Sequence, residues 1–268
     1  MTLVAPDFKA ARPAPVRDSY KLEWGKALSA LRKLLKNKED TSQVFEIMRA
    51  LSGRSGPKGY ARLLKTMDGG RLAYERVELV QRLMDRPWIE SFAPGTLGAA
   101  YAEFTARENL SAEGLAEESR KGMAAGAVEI QHPYAWFGRR VRDTHDLFHM
   151  LTGYGRDGLG EACLVAFSFA QTGSLGWAFI AVGAALNAGN TGGLPVRRAI
   201  LEGYRRGKAA KWLLGEDFEK LMAEPLEEAR KRLNIGPATL YNSIPAHFRD
   251  HEASPVGAAP AAQTLKAA

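Results

Sequence analysis

Apolar residues recur at intervals of three and four along most of the chain, whereas alternating runs of β-branched residues are absent. This spacing places apolar side chains on one face of a helix, so the sequence predicts an all-α fold. The first apolar stripe comprises Trp24, Leu28, Leu31 and Leu35, with lysine and arginine residues off it. A basic amphipathic helix of this kind either packs its stripe onto a core or lies on an anionic membrane surface.

Further helices are predicted from apolar spacing and from the prolines and glycines that bound each segment. The predicted segments are 41–51, 58–66, 72–84, 96–108, a helix opening at Ser111, 133–151, a helix from about Glu161, 197–214, 216–233 and 237–251. Residues 1–18 are expected to be a flexible segment, and the Ala- and Pro-rich residues 252–268 a disordered tail. With no repeat or linker between them, residues 19–251 are predicted to form a single multi-helix bundle.

Residues 162–196 contain no charged side chain, which is a length sufficient to span a bilayer. Glycine and asparagine residues interrupt this segment, however, and its continuous apolar pieces are shorter than the roughly 20 residues of a spanning helix. We therefore predict two buried core helices here. The alternative is a surface that faces or encloses lipid.

The composition is that of a soluble globular protein, with 268 residues, 46% hydrophobic and 25% charged. Lysine and arginine outnumber aspartate and glutamate by 37 to 30, a balance that favours acidic partners such as anionic lipid, nucleic acid or a charged metabolite. The single cysteine, Cys163, excludes an intrachain disulfide and a cysteine-rich zinc module, and its apolar neighbours predict a buried thiol. No signal-peptide pattern begins the chain, so we expect a cytoplasmic protein.

Candidate chemistry is concentrated at His145 and His149, which lie four positions apart and therefore share one face of a helix. Two imidazoles at this spacing can bind one metal ion, although histidines bonded to core carbonyls or exposed at a helix end remain alternatives. Glu161 begins the next helix and could return its carboxylate to the pair. Asp146 could bind the metal directly or orient an imidazole. A second pair, His247 and His251, is predicted to be surface-exposed beside the tail.

Other functional motifs are missing. The chain has neither a phosphate-binding loop ending in Gly-Lys-Ser/Thr nor a Gly-x-Gly-x-x-Gly motif between a strand and a helix, so no nucleotide cofactor is expected. The basic residues show no interleaved aromatic residues and no known module, so nucleic acid is not an expected partner.

These residues resemble the coenzyme Q biosynthesis protein 4 family, whose hallmark is His-Asp-x-x-His followed, after eleven intervening residues, by Glu. Here the motif is formed by His145, Asp146, His149 and Glu161. Its surroundings match at residues 140–144, 151–153, 160 and 171–173, and the resemblance covers about residues 71–235. The chain departs from the eukaryotic branch at Val165, Ser168 and residues 174–176, so the metal site carries over more securely than the substrate pocket.

The resemblance implies an all-helical, membrane-associated protein of ubiquinone biosynthesis with a divalent metal site between two helices and an apolar channel for a polyprenyl chain. Zn²⁺ is the expected metal. Fe²⁺ is the alternative, because two histidines and one carboxylate are the ligand set of non-haem iron oxygenases. The implied activity is oxidative decarboxylation of a polyprenyl-hydroxybenzoate, in which a hydroxyl replaces the ring carboxylate. The implied location is the inner face of the cytoplasmic membrane.

The resemblance also implies roles for particular residues. His145, His149 and Glu161 would hold the metal and act in catalysis, with Asp146 completing or orienting its ligand shell. Expected substrate contacts are Arg140, Arg142 and Gln171; helix-surface arginines are the alternative for the first two. Expected partners are a polyprenylated aromatic lipid, the membrane surface and other ubiquinone biosynthesis proteins, with a homo-oligomer left open.

Two other functions compete with this enzyme. In a non-catalytic scaffold that binds prenyl lipid, four protein ligands would close the metal shell, including Asp146. A metal-dependent hydrolase of prenyl phosphates would be favoured by a second metal site nearby.

Overall fold

The computed structural model describes residues 20–37, 40–108, 133–188 and 193–250, and within these ranges the chain is helical without a β-strand. The predicted all-α class is therefore confirmed. The predicted flexible N-terminal segment, the helix opening at Ser111 and the C-terminal tail lie outside the described residues. The α-helices are α1 (Trp24–Lys36), α2 (Thr41–Ala50), α3 (Ser55–Leu63), α4 (Gly69–Glu75), α5 (Leu79–Met84), α6 (Arg86–Glu90), α7 (Leu97–Glu108), α8 (Pro133–Asp143), α9 (His145–Thr152), α10 (Gly158–Thr172), α11 (Leu175–Asn187), α12 (Gly193–Ala209), α13 (Phe218–Leu221), α14 (Leu226–Arg232), α15 (Thr239–Ser243) and α16 (Ala246–Asp250).

The first two helices pack against each other, but α1 does not bury the whole predicted stripe. Its core face consists of Ala27, Ala30, Leu31 and Leu34. Three members of the predicted stripe remain largely accessible, with exposed fractions of 50% for Trp24 and 41% for both Leu28 and Leu35. The stripe is therefore rotated from the core by part of a helical turn, and an apolar strip faces outward.

Two long predicted helices are each broken into two shorter ones. Arg76 adopts a left-handed conformation, with φ of 48°, and ends α4, so the predicted helix 72–84 becomes α4 and α5. The predicted helix 133–151 is divided at Thr144, which separates α8 from α9. Because α9 starts at His145, the candidate ligands lie on a short helix with its own direction.

The core helix of the molecule is α10, which buries residues on every side. It packs along α12, where Gly203 and Gly207 meet the backbone of α10 directly. A Cβ atom on Gly207 would lie 2.6 Å from the carbonyl oxygen of Phe167, and one on Gly203 would collide with the carbonyl oxygen of Cys163. Cys163 is fully buried, as predicted.

The second half of the uncharged segment forms α11, whose inner side alone is buried. Ile180 is 1% exposed, whereas Val182 and Leu186 are 55% and 71% exposed. The prediction of two buried core helices is therefore correct for α10 and wrong for the outer side of α11. Among the helices described, none is long and apolar enough to cross a membrane.

The C-terminal part is more broken than predicted, because prolines interrupt it. The predicted helix 216–233 becomes α13 and α14, which are separated at Pro225, and the segment 237–251 becomes α15 and α16 around Pro245. The turn between α13 and α14 is hydrogen-bonded to the start of α7. Here the N–H groups of Leu97 and Gly98 donate to the carbonyl groups of Glu224 (3.0 Å) and Met222 (2.8 Å).

Candidate metal centre

The two motif histidines lie on one face of α9, and Glu161 meets them from the first turn of α10. The helix that carries Glu161 begins where the side chain of Asp157 accepts a hydrogen bond from the N–H of Gly160 (2.9 Å). This cap fixes the start of α10 and therefore the position of the carboxylate. The structure thus brings His145, His149 and Glu161 together, although a glycine-rich loop separates the histidines from Glu161 in the sequence.

Four buried ligand atoms point at one another in this cluster. The Nε2 atom of His145 lies 3.5 Å from Oε2 of Glu161, and Nε2 of His149 lies 3.3 Å from Oε1. The three residues are 8%, 1% and 0% exposed. Among the described residues, none of these four atoms has a hydrogen-bond partner. Buried polar atoms without partners are costly, so the arrangement calls for a further group.

The spacing of these atoms fits a metal ion. Two ligand atoms about 2.0–2.1 Å from a tetrahedral Zn²⁺ are about 3.3–3.4 Å apart, close to the separations across Glu161. The donor set of imidazole and carboxylate suits Zn²⁺ and Fe²⁺ alike. Asp146 adds a partly buried carboxylate: its oxygen and one nitrogen of each histidine all lie within 4.8 Å of one another. The two histidines with Glu161 therefore fit a divalent metal, and Asp146 lies beside the histidines as a further candidate donor.

A backbone contact of His149 fixes which of its two nitrogens is free to bind. Nδ1 of His149 lies 3.0 Å from the carbonyl oxygen of Tyr154, so Nδ1 carries the proton and Nε2 keeps its lone pair. The ring of His149 stacks on Phe104 from α7, with ring centroids 5.8 Å apart. The ring of His145 lies parallel to Trp177 from α11, with centroids 6.3 Å apart. Aromatic rings therefore cover both imidazoles.

The charged forms of Glu161 and His149 stabilise each other. Burial opposes the ionisation of Glu161, but the nearby imidazoles, that of His149 above all, outweigh it and lower the pKa of Glu161 to about 2. Burial also opposes the protonation of His149, while Glu161 more than compensates and raises the pKa of His149. Glu161 is thus held as a carboxylate in a fully buried position.

Two arginines cap the end of the histidine-bearing helix. Arg206 from α12 donates to the carbonyl of Thr152 (2.7 Å), and Arg230 from α14 donates to those of Met150 (2.6 Å) and Leu151 (3.1 Å). The last carbonyl groups of a helix lack partners within the helix, so these bonds satisfy them. Arg206 also lies over the ring of Tyr154, at 4.7 Å. It therefore braces the loop that orients His149.

The three side chains predicted to contact substrate each bond to other parts of the protein. Arg140 is buried and donates to the carbonyl of Glu216 (2.6 Å), and burial lowers the pKa of Arg140 to about 10. Arg142 pairs with Asp143 at 2.7 Å. Gln171 uses its amide nitrogen and oxygen on the backbone of residues 207, 211 and 213. Among the described residues the buried Nε of Arg140 has no hydrogen-bond partner, and Gln171 also lines the pocket beside the metal centre. Contact of the three side chains with substrate stays a prediction.

A pocket of about 580 Å³ lies beside the metal centre. Trp177 belongs both to this pocket and to the stack on His145, so one indole ring separates the two. Four aromatic side chains contribute to a lining that is otherwise rich in glycine and serine, and Lys58 and Arg62 supply positive charge. The aromatic residues are Tyr134, Phe137, Trp177 and Trp212. The predicted apolar channel remains a prediction.

Sequence reasoning missed the aromatic residues of the site. Phe104 and Trp177 come from helices far from the motif in sequence, and only packing brings them to the histidines. Tyr101, one turn before Phe104, has a buried hydroxyl that lacks a hydrogen-bond partner in the described part of the chain. Burial and the carboxylates of Asp146 and Asp143 raise the pKa of Tyr101. None of these residues has a motif that would have revealed it.

Comparisons with known proteins identify the family of this chain. A profile of the family described as coenzyme Q (ubiquinone) biosynthesis protein Coq4 matches residues 26–239. A relative from Danio rerio, "Ubiquinone biosynthesis protein COQ4 homolog, mitochondrial", is 28% identical over 192 residues, which are 68% of this chain and 66% of the relative. One from Pyrenophora tritici-repentis, "Ubiquinone biosynthesis protein coq4, mitochondrial", is 33% identical over 112 residues, or 42% of this chain and 36% of the relative.

Coverage of the curated relatives is partial. The match to Pyricularia oryzae "Ubiquinone biosynthesis protein COQ4, mitochondrial" spans 65% of this chain and 55% of the relative, at 27% identity. A crystal structure of a putative ubiquinone biosynthesis protein from Nostoc punctiforme aligns with a TM-score of 0.57 and 21% identity. That alignment covers 81% of this chain and all of the other, and it shows a shared fold.

Proposed function

Because the chain belongs to the coenzyme Q (ubiquinone) biosynthesis protein Coq4 family, we propose that it catalyses a metal-dependent oxidative decarboxylation in ubiquinone biosynthesis. The proposed substrate is a polyprenyl-hydroxybenzoate. Its ring carboxylate leaves as carbon dioxide and a hydroxyl takes its place. Dioxygen supplies the hydroxyl oxygen, and an external two-electron reductant converts the second oxygen atom to water.

The observation that carries this proposal is the set of buried ligand atoms between α9 and α10. His145, His149 and Glu161 would hold the metal, and Asp146 would complete its shell or orient it. When bound, Fe²⁺ would supply redox chemistry with oxygen, whereas Zn²⁺, the expected metal, would only polarise a substrate oxygen. The oxidative reaction favours Fe²⁺.

The protein residues prepare the site for a charged ligand. Glu161 remains ionised, and the hydrogen bond from His149 to Tyr154 holds one imidazole in the binding tautomer. The rings of Phe104 and Trp177 cover the imidazoles and keep water from them. A dry site strengthens electrostatic interactions within it.

The neighbouring pocket supports an aromatic, acidic substrate. Its aromatic walls can stack on a benzoate ring, and Lys58 and Arg62 can attract a carboxylate. Arg62 lies over the ring of Trp212 at 4.4 Å, which fixes its position at the pocket. A polyprenyl tail would remain in lipid, so the proposed reaction takes place at the inner surface of the cytoplasmic membrane.

A second candidate is a non-catalytic prenyl-lipid scaffold that organises the other biosynthetic enzymes. The position of Asp146 favours it, because a fourth protein ligand would close the metal shell. The hydrolase alternative gains no comparable support: among the described residues, no second cluster of three or more histidine, cysteine or acidic side chains could hold a metal.

Elemental analysis and product analysis of three proteins test the proposal. These are the wild type, Glu161→Gln and the control Glu228→Gln, which makes the same chemical change at an exposed position of α14. Each is loaded anaerobically with Fe²⁺ or Zn²⁺ and incubated with a polyprenyl-hydroxybenzoate and a reductant, with or without oxygen. Products are identified by mass spectrometry.

We expect about one metal per chain in the wild type and in the control, and at least about a tenfold weaker affinity in Glu161→Gln. The substrate should lose its carboxylate and gain a hydroxyl only with oxygen and only in the two metal-bearing proteins. Metal binding with unchanged lipid would favour the scaffold. A wild type that binds neither metal would overturn the metal centre itself.

A further inference from the structure

The outer surface where α1 and α11 adjoin carries a set of exposed apolar side chains. On α1 they recur at positions 24, 28 and 35, and on α11 at 175, 182 and 186, so each helix presents one stripe. Their exposed fractions run from 38% to 71%. We call this surface the α1–α11 face; its members are Trp24, Leu28, Leu35, Leu175, Val182 and Leu186.

The two stripes lie side by side. The ring of Trp24 meets the ring of Phe179 edge to face, with centroids 5.9 Å apart. Further along, Gly183 lies against Leu31, and a Cβ atom there would be 3.1 Å from that side chain. Leu31 lies between the exposed members of its stripe. The two stripes therefore lie on either side of the contact between α1 and α11, and together they form a continuous apolar surface.

The free charges nearest this face are basic. On α1, Arg32 and Lys36 flank the stripe, while Lys26 and Lys33 lie on the other side of the helix, beside Glu46, and Lys26 pairs with Glu23 (2.8 Å). α11 carries no charge of either sign. At the far end, Arg197 of α12 donates to the carbonyl of Ala185 (2.9 Å), which brings another cation beside the last turn of α11. The face is therefore apolar at its centre and cationic at its edges.

From this arrangement we infer that the α1–α11 face docks on an anionic phospholipid surface. Apolar side chains between lysine and arginine suit the boundary between acyl chains and acidic headgroups. Self-association through the same face would instead bring two cationic rims together, which opposes pairing of two copies. The inference deepens the proposed function by assigning its lipid partner to a surface, and it rests on that function only for the identity of the lipid substrate.

Docking on this face would place the reaction site next to lipid. The outer side of α11 carries Val182 and Leu186, while its first turn carries Trp177, which lines the pocket and stacks on His145. One helix thus separates the docking face from the pocket. A lipid with its tail in the membrane has a short path to the aromatic lining.

Vesicle sedimentation of the full-length protein tests the inference. The vesicles contain either phosphatidylcholine alone or phosphatidylcholine with about 30% phosphatidylglycerol, which gives an anionic surface. The test variant is Val182→Glu/Leu186→Glu. The matched control is Met67→Glu/Tyr74→Glu, which adds the same charge at apolar side chains 99% and 88% exposed outside the face. Circular dichroism and bound metal report folding.

The wild type and the control should bind the anionic vesicles and release them as salt is raised, with weaker binding to phosphatidylcholine. The test variant should bind at least about tenfold more weakly, because two carboxylates must enter an anionic interface. As a second variant, Arg32→Gln/Lys36→Gln should lose the preference for anionic lipid with its apolar stripe intact.

Three results would overturn the inference. The first is equal vesicle binding by the wild type and Val182→Glu/Leu186→Glu, and the second is loss of binding in the control instead. The third is a wild type that forms dimers in analytical ultracentrifugation which the test variant dissociates, without vesicle binding by either. Metal content and product formation in detergent are unaffected by docking, so failure of the proposed chemistry would be seen separately.

Discussion

Arg206 offers the sharpest test of how the candidate centre is held. Arg206 is 8% exposed, and its guanidinium group donates to the carbonyl of Thr152 at the end of α9 and to that of Gly236. Replacing it in Arg206→Met keeps most of the aliphatic volume and leaves both carbonyls without their donor. The loss of stability in this variant therefore reports mainly on the hydrogen bonds that Arg206 donates.

The expected loss follows from these contacts. Hydrogen bonds to a charged group are worth about 1.5–3 kcal/mol each, so two acceptors give about 3–6 kcal/mol. Methionine also relieves the burial of a charge whose Nη1 atom lacks a hydrogen-bond partner among the described residues, which offsets part of that loss. We expect a net decrease of about 3 kcal/mol in the free energy of unfolding. For a domain of this size, the Tm should fall by about 6–12 °C.

The assay is thermal and urea unfolding of the metal-free proteins, followed by circular dichroism, so that metal binding does not contribute. Arg205→Met is the control, because Arg205 is the exposed neighbour on the same helix and should change stability by less than about 0.5 kcal/mol. Metal affinity, measured by competition with a chelator, should fall about tenfold in Arg206→Met alone. Equal stabilities of the two variants would refute the reasoning.

Two further predictions concern other parts of the chain. Cys163 is fully buried, and burial raises the pKa of its thiol, so a thiol reagent should modify it only after denaturation; modification of the native protein at the denatured rate would contradict the packing of α10. Partial burial opposes the ionisation of Asp217, but hydrogen bonds from the N–H of Lys220 and from Arg71 lower the pKa of Asp217 below its usual 3.8. The stabilisation that ionised Asp217 gives the fold is complete above pH 3.8 and is lost as the pH falls through the lower folded pKa. In Asp217→Asn, the free energy of unfolding should therefore fall less steeply below about pH 5 than in the wild type. An unchanged pH dependence in urea unfolding would rule this out.

The sequence was sufficient for the fold class and for the histidine pair. Apolar spacing is a local property, and the four-residue spacing of His145 and His149 fixes their common face regardless of the rest of the fold. Glu161 also followed, because a glycine-rich loop between two helices returns the chain on itself. The structure brings all three together.

Helix ends and helix rotation could not be predicted in the same way. The break at Thr144 and the left-handed Arg76 are set by tertiary packing, which overrides local propensity. On α1, the buried face combines two alanines with Leu31 and Leu34, while Trp24 and Leu28 face outward. Apolar spacing alone cannot tell such a surface stripe from a core face. Trp177 and Phe104 reach the histidines only through contacts distant in sequence, which the motif does not contain.

The glycine contacts between α10 and α12 make one side of the site rigid. Gly203 and Gly207 place the backbone of one helix directly on the other, at Cys163 and Phe167 just beyond Glu161. Backbone meets backbone there, with only the short side chain of Ala170 beside Gly207, so a change of rotamer cannot part the helices, and sliding would drive backbone atoms together. The seam is a fixed wall behind the carboxylate. On the side that faces the pocket, the boundary of the site is instead a side chain, the indole ring of Trp177.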